Sequence, residues 1–246
     1  MVETAVMRTY GQFCPIARGS EILAERWTPI ILRNLLLGCR TFNEIAAGAP
    51  GLSRALLVRR LRELERAGVL EIRAKPNGRG SVYEPTPAGR DLAGVLESIG
   101  GWAERWTELS DDHADPDAVL WSWTQTFLRR DLLPDRRVVV RFEYTRRGRR
   151  VRLWLLAEGG AGRGGAAELC RFDPGFGDDL VVTVDDPLVL AHWHLGRVSW
   201  AAALRSGGVT VTGPRALRQA LPTWNAGPEE HARMRVERDL PVADPA

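Results

Sequence analysis

Lysine, cysteine and long apolar runs are scarce in this 246-residue chain. Lys75 is the single lysine, so 33 of the 34 basic residues are arginine, a bias that a GC-rich genome also produces. The three cysteines, Cys14, Cys39 and Cys170, are too few and too scattered for a disulfide scaffold or a clustered zinc site. No segment approaches the roughly 18 apolar residues of a membrane-spanning helix, and the start lacks a basic region followed by an apolar run. We therefore expect a cytoplasmic protein with no membrane partner.

The composition is that of a soluble globular protein, with 44% hydrophobic and 26% charged residues. At roughly 100–200 residues per domain, the length predicts two domains. Four aspartates and a proline fall within Asp111–Asp117, and such a segment has little apolar surface to bury. We predict one domain over residues 1–110, an acidic linker over 111–116 and a second domain over 117–246.

Positive charge is concentrated in the first part. Residues 1–110 hold 15 basic and 12 acidic groups, whereas the remainder holds 19 of each. Within the first part, Ser53–Val82 has eight basic residues against three acidic ones, a net charge of +5. A compact basic segment is expected of a nucleic-acid-binding protein, although a solvated helix face has the same composition.

The first domain has clear start and stop signals. Thr28 and Pro29 are typical of a helix start, and this helix stops at Gly38. Thr41 and Glu44 form a capping-box pattern before a short helix. Three further helices are predicted, over Gly19–Arg26, over Arg54–Ala67 with Ser53 as its cap, and from Thr86 to about Leu109. Two strands are predicted over Val69–Ala74 and Ser81–Glu84, and a turn containing Asn77-Gly78 joins them. This is the order of a winged helix-turn-helix domain.

The helix over Arg54–Ala67 has two distinct faces. Leu57, Leu61 and Leu64 form an apolar stripe at 100° per residue. The opposite face carries Ala55 and three arginines, and small and guanidinium side chains suit the major groove of DNA. A solvated helix of a bundle is the alternative.

Several motifs in order resemble the bacterial HxlR-type winged helix transcriptional regulators. They are Cys14-Pro15, Leu23–Arg33, Gly38–Ile45, Leu52-Ser53, Leu61–Val69 and Tyr83–Gly89, over about residues 10–108. The resemblance implies a homodimer that binds double-stranded operator DNA through helix 53–67, with a wing at 69–84. The predicted DNA-binding residues are Ser53, Arg54, Ala55, Val58, Arg59, Arg62, Arg66, Lys75 and Arg79.

Two further features of this domain have open interpretations. Trp102 and Trp106 end the long helix, and they either anchor the dimer contact that the resemblance implies or pack within the chain. Cys14 occupies the position at which some family members sense oxidants, but an inert thiol is the alternative because reactivity depends on pKa and exposure. A thiol redox switch acting through Cys14 is therefore one alternative function.

The second domain is predicted to be α+β with a mainly antiparallel sheet. The predicted elements are a helix over Asp117–Leu133, strands over Arg137–Thr145, Arg149–Ala157, Ala166–Phe172 and Leu180–Val184, helices over Pro187–Leu195 and Ser199–Arg205, a strand over Val209–Thr212 and a helix over Pro214–Ala220. Motifs such as Asp173–Phe176, Trp200–Gly207 and Val211–Leu217 resemble the sterol-carrier-protein-2-like fold.

That resemblance implies an apolar tunnel, so this domain is expected to sense a ligand or to stabilise the protein. Large rings either line a pocket for a hydrophobic small-molecule effector or fill a core. The candidate pocket residues are Trp121, Trp123, Trp154, Trp193 and Trp200. A lipid or sterol carrier is the second alternative function.

Catalytic and cofactor-binding patterns are weak. Gly160–Gly165 matches G-x-G-x-x-G but joins two predicted strands, so no helix N-terminus would face a phosphate. His192 and His194 would project about 200° apart on a helix, which is awkward for one metal ion. We predict no enzyme activity, no cofactor and no metal.

Overall fold

The computed structural model describes residues 9–75, 78–159 and 165–227. The chain divides into two compact units, and the division falls between Thr107 and Glu108. The predicted turn residues Pro76 and Asn77 and most of the glycine-rich segment 160–165 lie outside the described residues.

The first unit is a winged helix-turn-helix fold, as predicted. Its elements are α1 (Pro15–Leu23), α2 (Thr28–Leu36), α3 (Phe42–Ala47), α4 (Arg54–Arg66), β1 (Leu70–Ala74), β2 (Ser81–Pro85), α5 (Pro87–Asp91) and α6 (Ala93–Trp106). Strands β1 and β2 form an antiparallel hairpin, the wing. Ile31, Leu35, Ile45, Leu57, Leu61 and Leu64 are fully buried, so α4 packs against the other helices through its leucine stripe.

Two predicted caps of this unit are confirmed. The Thr41 hydroxyl accepts a hydrogen bond from the Glu44 N–H, and the Glu44 carboxylate accepts one from the Thr41 N–H, which completes a capping box. The Ser53 hydroxyl accepts a hydrogen bond from the Leu56 N–H at 3.2 Å and so starts α4. The starts of both helices of the helix-turn-helix are therefore set by local sequence.

Three helix boundaries of the first unit differ from the prediction. Thr28 is the first residue of α2 rather than its cap, because Trp27 takes the cap position with a φ of 78°. Helix α1 starts at Pro15, four residues before the predicted start at Gly19, and it ends at Leu23. The long helix predicted from Thr86 is two helices, α5 and α6, separated at Leu92.

The second unit is α+β. Its elements are α7 (Pro116–Ser122), β3 (Val138–Arg146), β4 (Arg149–Glu158), β5 (Ala166–Cys170), β6 (Leu180–Val184), α8 (Pro187–His194), α9 (Trp200–Arg205), β7 (Val209–Thr212) and α10 (Arg215–Ala220). The five strands form one sheet in the order β5-β4-β3-β6-β7, in which only the pairing of β3 with β6 is parallel. The sheet is therefore mainly antiparallel.

The helix predicted over Asp117–Leu133 is shorter in the structure. After α7, the chain forms a π-helical turn over Trp123–Phe127, and Leu128 then pairs with Asn225 as an isolated β-bridge. The Trp123 indole N–H also donates to the Trp224 carbonyl at 3.2 Å. These contacts with the far end of the unit end the helix early, since Leu128 must be extended to make the bridge.

The acidic segment before α7 is folded into the second unit, which differs from a linker lying outside the fold. Asp111–His113 forms a 3-10 turn, and Ala114 is buried. The buried Asp117 carboxylate accepts hydrogen bonds from the Tyr144 hydroxyl, from Arg146 at 3.2 Å and from Arg171 at 3.0 Å. Its negative charge is thus compensated by partners on the sheet and on the loop after β5.

The start of α5 is packed tightly against the wing. The Val69 carbonyl accepts hydrogen bonds from the Thr86 N–H and hydroxyl, both at 3.1 Å. A Cβ added at Gly89 would lie 2.1 Å from the same carbonyl oxygen, and this atom belongs to the backbone. A glycine is therefore required at residue 89 to hold α5 against the start of β1.

We expect Gly89→Ala to destabilise the first unit by about 1–3 kcal/mol, because the backbone must move to admit the methyl group. Gly94→Ala is the matched control: Gly94 lies in α6 with nothing within 4 Å of an added Cβ. This control should gain about 0.5–1 kcal/mol from helix propensity. Urea unfolding followed by circular dichroism measures both changes, and equal effects of the two variants would contradict the close packing at Gly89.

Candidate nucleic-acid interface

Helix α4 presents a basic face to solvent. The leucines of the apolar stripe, Leu57, Leu61 and Leu64, are buried. The exposed residues on the other side of the helix are Ser53, Arg54, Ala55, Val58, Arg59, Arg62 and Arg66. Val58 is 50% exposed although it is apolar. The sequence therefore predicted correctly which side of the helix is available to a partner.

The exposed arginines on this face make only weak contacts within the chain. Arg62 pairs with Glu65 at 2.9 Å, and Arg59 lies 3.8 Å from Glu63. Pairs of this kind, one turn apart on an exposed helix, contribute only a few tenths of a kcal/mol. Both guanidinium groups can therefore exchange their glutamate partners for a phosphate or a base edge at little cost.

Arg54 is held at the N-terminal end of α4 by an aromatic ring. Its guanidinium carbon lies 4.6 Å from the centre of the Phe42 ring, the first residue of α3. Such a contact restricts the side chain while leaving its N–H groups facing outward. Sequence reasoning missed this role of Phe42, because the contact joins two different helices.

One arginine of α4 is turned inward. Arg60 is buried, and its guanidinium contacts the carboxylates of Glu25 and of Glu63. Arg60 lies 60° from Leu57 and 40° from Leu64 on a helical wheel, so its inward position was readable from the sequence. This ion pair network ties α4 to the segment between α1 and α2, and it fixes the rotation of the basic face.

The wing contributes the other candidate residues. Arg79 is exposed in the turn between β1 and β2, and Lys75 is half-buried, with its backbone N–H donating to the Gly80 carbonyl at 3.1 Å. The Tyr83 N–H donates to the Arg40 carbonyl at 2.9 Å, which attaches β2 to the segment between α2 and α3. The wing is thus fixed to the helix-turn-helix by backbone hydrogen bonds.

A second exposed surface of the first unit is apolar. Val95, Ile99, Trp102 and Trp106 recur at helical spacing along α6 and are all exposed, with Trp106 at 73%. Phe13 and Ile16, at the start of α1, are 96% and 79% exposed. No residue of α1 or α6 is fully buried within the chain. Packing of Trp102 and Trp106 inside the chain, one of the two sequence interpretations, is therefore wrong for the single chain.

The candidate pocket tryptophans of the second unit are largely packed against each other. Trp123 meets Trp193 edge to face with ring centres 5.3 Å apart, and Trp193 lies 4.6 Å from Trp200. Trp121 and Trp154 are buried, and the Trp154 indole donates to Asp178 at 3.1 Å. These contacts support the core-filling interpretation for Trp123 and Trp193, and a ligand pocket stays a prediction.

No group of three or more metal-binding side chains occurs among residues 9–75, 78–159 and 165–227. His194 is buried instead, with its Nδ1 3.0 Å from the Asn225 side-chain oxygen. Within the same residues, the helices fall short of the length and apolar content that a bilayer crossing requires.

A three-helix core, a basic second helix of the helix-turn-helix and an antiparallel wing together define a winged helix DNA-binding domain. Residues 22–111 match the model of the HxlR-like helix-turn-helix family. The chain is 37% identical over 101 residues to YvaP, an HTH-type transcriptional regulator of Bacillus subtilis, and this match covers 40% of the chain and 94% of YvaP. The chain belongs to the HxlR-like family, and it is a DNA-binding transcriptional regulator.

Two further likenesses concern one protein, the HTH-type transcriptional regulator YodB of Bacillus subtilis. The chain is 31% identical to it over 100 residues, which cover 40% of the chain and 89% of YodB. The solved structure of the reduced form of YodB is similar with 29% identity and a TM-score of 0.35, over 39% of the chain and 97% of that structure. The curated and solved relatives named here therefore match about two fifths of the chain.

The three cysteines differ in their surroundings. Burial raises the pKa of the Cys39 thiol to about 11, with a smaller contribution from the Glu44 carboxylate that Arg40 and Arg33 oppose. Burial and the neighbouring Glu168 also raise the pKa of Cys170. Cys14 is half-buried at the cap position of α1, between the exposed Phe13 and Pro15.

We expect Cys39 to be the thiol that alkylates most slowly in the folded protein. Because the thiolate is the nucleophile and the folded pKa lies far above pH 8, only about one Cys39 side chain in a thousand is ionised there. Iodoacetamide labelling at pH 8, followed by mass spectrometry of the peptides, measures the rates at Cys14, Cys39 and Cys170. The difference should vanish in 6 M guanidinium chloride, and rapid labelling of Cys39 in the native protein would contradict the assignment.

Proposed function

We propose that this regulator binds a two-fold symmetric operator as a homodimer, with α4 in the major groove, and that it acts as a repressor. The observation that carries the proposal is the outward face of α4, where four arginines, a serine and two small or apolar side chains are exposed together. Arginine forks match guanine edges, and apolar groups match the thymine methyl group. A dimer seated on the operator would block that stretch of DNA.

Within this proposal, the two ends of α4 have different roles. The residues in the N-terminal two thirds of the helix are assigned to base edges, and they are Ser53, Arg54, Ala55, Val58, Arg59 and Arg62. Arg66 at the end of the helix, with Lys75 and Arg79 of the wing, is assigned to phosphates. This division follows the usual docking of a recognition helix, whose N-terminal residues contact the bases.

The dimer contact is assigned to the apolar side chains of α6 and of the start of α1. Exposed tryptophans are costly in a monomer and are enriched in the centres of protein interfaces. Four large apolar side chains on one face of α6 provide a self-complementary surface for two-fold contact. We therefore assign Trp102 and Trp106 to the centre of the interface.

The second unit is proposed to adopt a sterol-carrier-protein-2-like fold and either to sense a hydrophobic small molecule or to stabilise the protein. A helix before a mixed five-stranded sheet, two following helices and a returning edge strand support this fold. Trp200 is the half-buried ring at the end of the aromatic series Trp123, Trp193 and Trp200. An effector would act only if it bound the DNA-competent and incompetent arrangements with different affinities.

A thiol switch through Cys14 is the second candidate for control of this regulator. The specific observation is the position of Cys14, which follows Phe13 directly and precedes Ile16 by two residues, and both of these side chains belong to the proposed dimer surface. Oxidation there would introduce a polar group beside apolar side chains. An oxidant that changes operator affinity in the parent protein but not in Cys14→Ser would support this candidate, and an unchanged affinity in both would exclude it.

We expect Arg59→Ala and Arg62→Ala each to weaken operator binding by about 1–3 kcal/mol and to relax the base preference at one position of each half-site. The operator is first selected from a pool of randomised duplexes, and affinities are measured by fluorescence anisotropy. Arg73→Ala is the matched control, since Arg73 is also exposed but pairs with Glu71 and Glu84 on the wing. Equal losses on selected and random duplexes would instead identify Arg59 and Arg62 as phosphate contacts.

We expect the double variant Trp102→Glu, Trp106→Glu to sediment as a monomer at concentrations at which the parent protein is a dimer. Burying four carboxylates in a two-fold contact is far more costly than exposing them. Operator affinity should fall together with dimerisation. The control is Phe172→Glu with Phe176→Glu, which changes two exposed rings of the second unit. A dimer that survives the tryptophan variant would place the interface elsewhere.

A further inference from the structure

The hairpin between β3 and β4 carries the densest run of positive charge in the second unit. Five of the eight residues from Thr145 to Arg152 are arginine, and no acidic residue occurs between Glu143 and Glu158. The whole half of the chain nevertheless has no net charge, with 19 basic and 19 acidic residues after residue 110. The positive charge is therefore local to one hairpin.

The tip of this hairpin is a two-residue turn. Arg147 and Gly148 both have positive φ angles, of 49° and 74°, and Arg146 pairs with Arg149 across the strands. A turn with positive φ at both central residues favours Asn-Gly or Asp-Gly, because a longer side chain is strained there. The chain places an arginine at a position where turn stability favours asparagine. Such a departure from local preference is expected where a side chain serves another purpose.

Three of the five arginines have no ion pair in the part of the chain that the structure describes. Arg146 contacts Asp115 at 2.7 Å and Asp117 at 3.2 Å, and Arg152 contacts Glu143 at 2.9 Å. These three acidic groups pair with arginines at the base of the hairpin. The arginines at its tip, Arg147, Arg149 and Arg150, are exposed. Arg149 also lies directly opposite Arg146, and like charges in register across two strands are unfavourable.

The hairpin is held firmly at its base. Strands β3 and β4 pair over nine residues in continuous register, from Val138 with Ala157 to Arg146 with Arg149. Arg146 is fixed by the two aspartates at the start of α7, and Tyr144 shares the buried Asp117 with it. The backbone of the tip arginines is therefore held by a stiff two-stranded ribbon, so the freedom lost on binding is that of the side chains.

We propose that the tip of the β3–β4 hairpin, Arg147, Arg149 and Arg150, is a second DNA-binding surface that contacts phosphates of the duplex. Three exposed guanidinium groups lie within four residues at the tip, and none of them has an ion pair among residues 9–75, 78–159 and 165–227, so this chemistry fits a polyanion. Arginine forks match phosphate oxygens bidentately, and two-stranded ribbons are among the elements that proteins place on DNA. The inference rests on the DNA-binding assignment of the chain and extends it to the second unit.

The test uses the full chain with Arg147→Asn, Arg149→Gln and Arg150→Gln. The change at Arg147 introduces the residue that the turn favours, so the hairpin should fold at least as well as in the parent protein. The matched control is Arg205→Gln, Arg215→Gln and Arg218→Gln, which removes three charges from exposed positions elsewhere in the same unit. Binding to a 40-base-pair random duplex and to the selected operator is measured across a salt series.

We expect the hairpin variant to have a shallower dependence of log affinity on log salt, by about 2 to 3 in slope for each bound protomer, on both duplexes, and the control to keep the parent slope. The base preference of the selected operator should be unchanged, because phosphate contacts carry no sequence information. Adding Arg59→Ala and Arg62→Ala should lower affinity further and independently. Failure of the proposed operator recognition would appear instead as no preference for any selected duplex in the parent protein.

Three results would overturn the proposal. The first is a salt dependence of the hairpin variant that has the same slope as that of the parent protein. The second is an equal decrease in slope for the hairpin variant and the control, which would reduce the effect to net charge. The third is sedimentation of the parent protein with anionic phosphatidylglycerol vesicles that is lost in the hairpin variant while DNA binding is unaffected, which would assign the surface to membrane lipid.

Discussion

The contact of Arg60 with Glu25 and Glu63 is the constraint on which the DNA-binding surface depends. Helix α4 is rich in arginine, and its leucine stripe together with this ion pair sets its rotation against the neighbouring helices. Turning one guanidinium inward to two carboxylates, beside three buried leucines, fixes which arginines remain outside. Arg60 is buried, so removing both carboxylates would leave its charge uncompensated inside the unit.

Local preferences explain most of the first unit. Thr41 with Glu44 and Ser53 with the Leu56 N–H set the starts of α3 and α4, and the leucine stripe sets the buried face. Each of these signals operates within a few residues of the sequence, which is why they were predictable. The exposed positions of the candidate DNA-binding side chains of α4 follow from the same spacing, whereas their contacts with DNA stay a prediction.

The errors arose where distant residues decide local structure. The helix predicted to reach Leu133 ends early because Leu128 and Trp123 are bound to Asn225 and Trp224, about a hundred residues away. Thr28 has a side chain that is typical of a helix cap, but Trp27 occupies the cap position of α2 with a positive φ. A positive φ at a tryptophan cannot be predicted from the residue type. The hairpin arginines were overlooked for a different reason: summing charge over a whole domain hides a cluster that carboxylates elsewhere cancel.

The packing of residues 221–226 into the core of the second unit has a consequence for synthesis on the ribosome. Leu221 and Trp224 are fully buried members of its core, and Ala226 donates its N–H to the Phe127 carbonyl. The first unit is complete once about 107 residues have emerged, so it is able to fold while the chain is still growing. The second unit lacks part of its core until residue 224 has emerged. A nascent chain therefore gains the DNA-binding fold well before the unit that follows it, and a chain cut short before residue 221 would carry the first without a complete second.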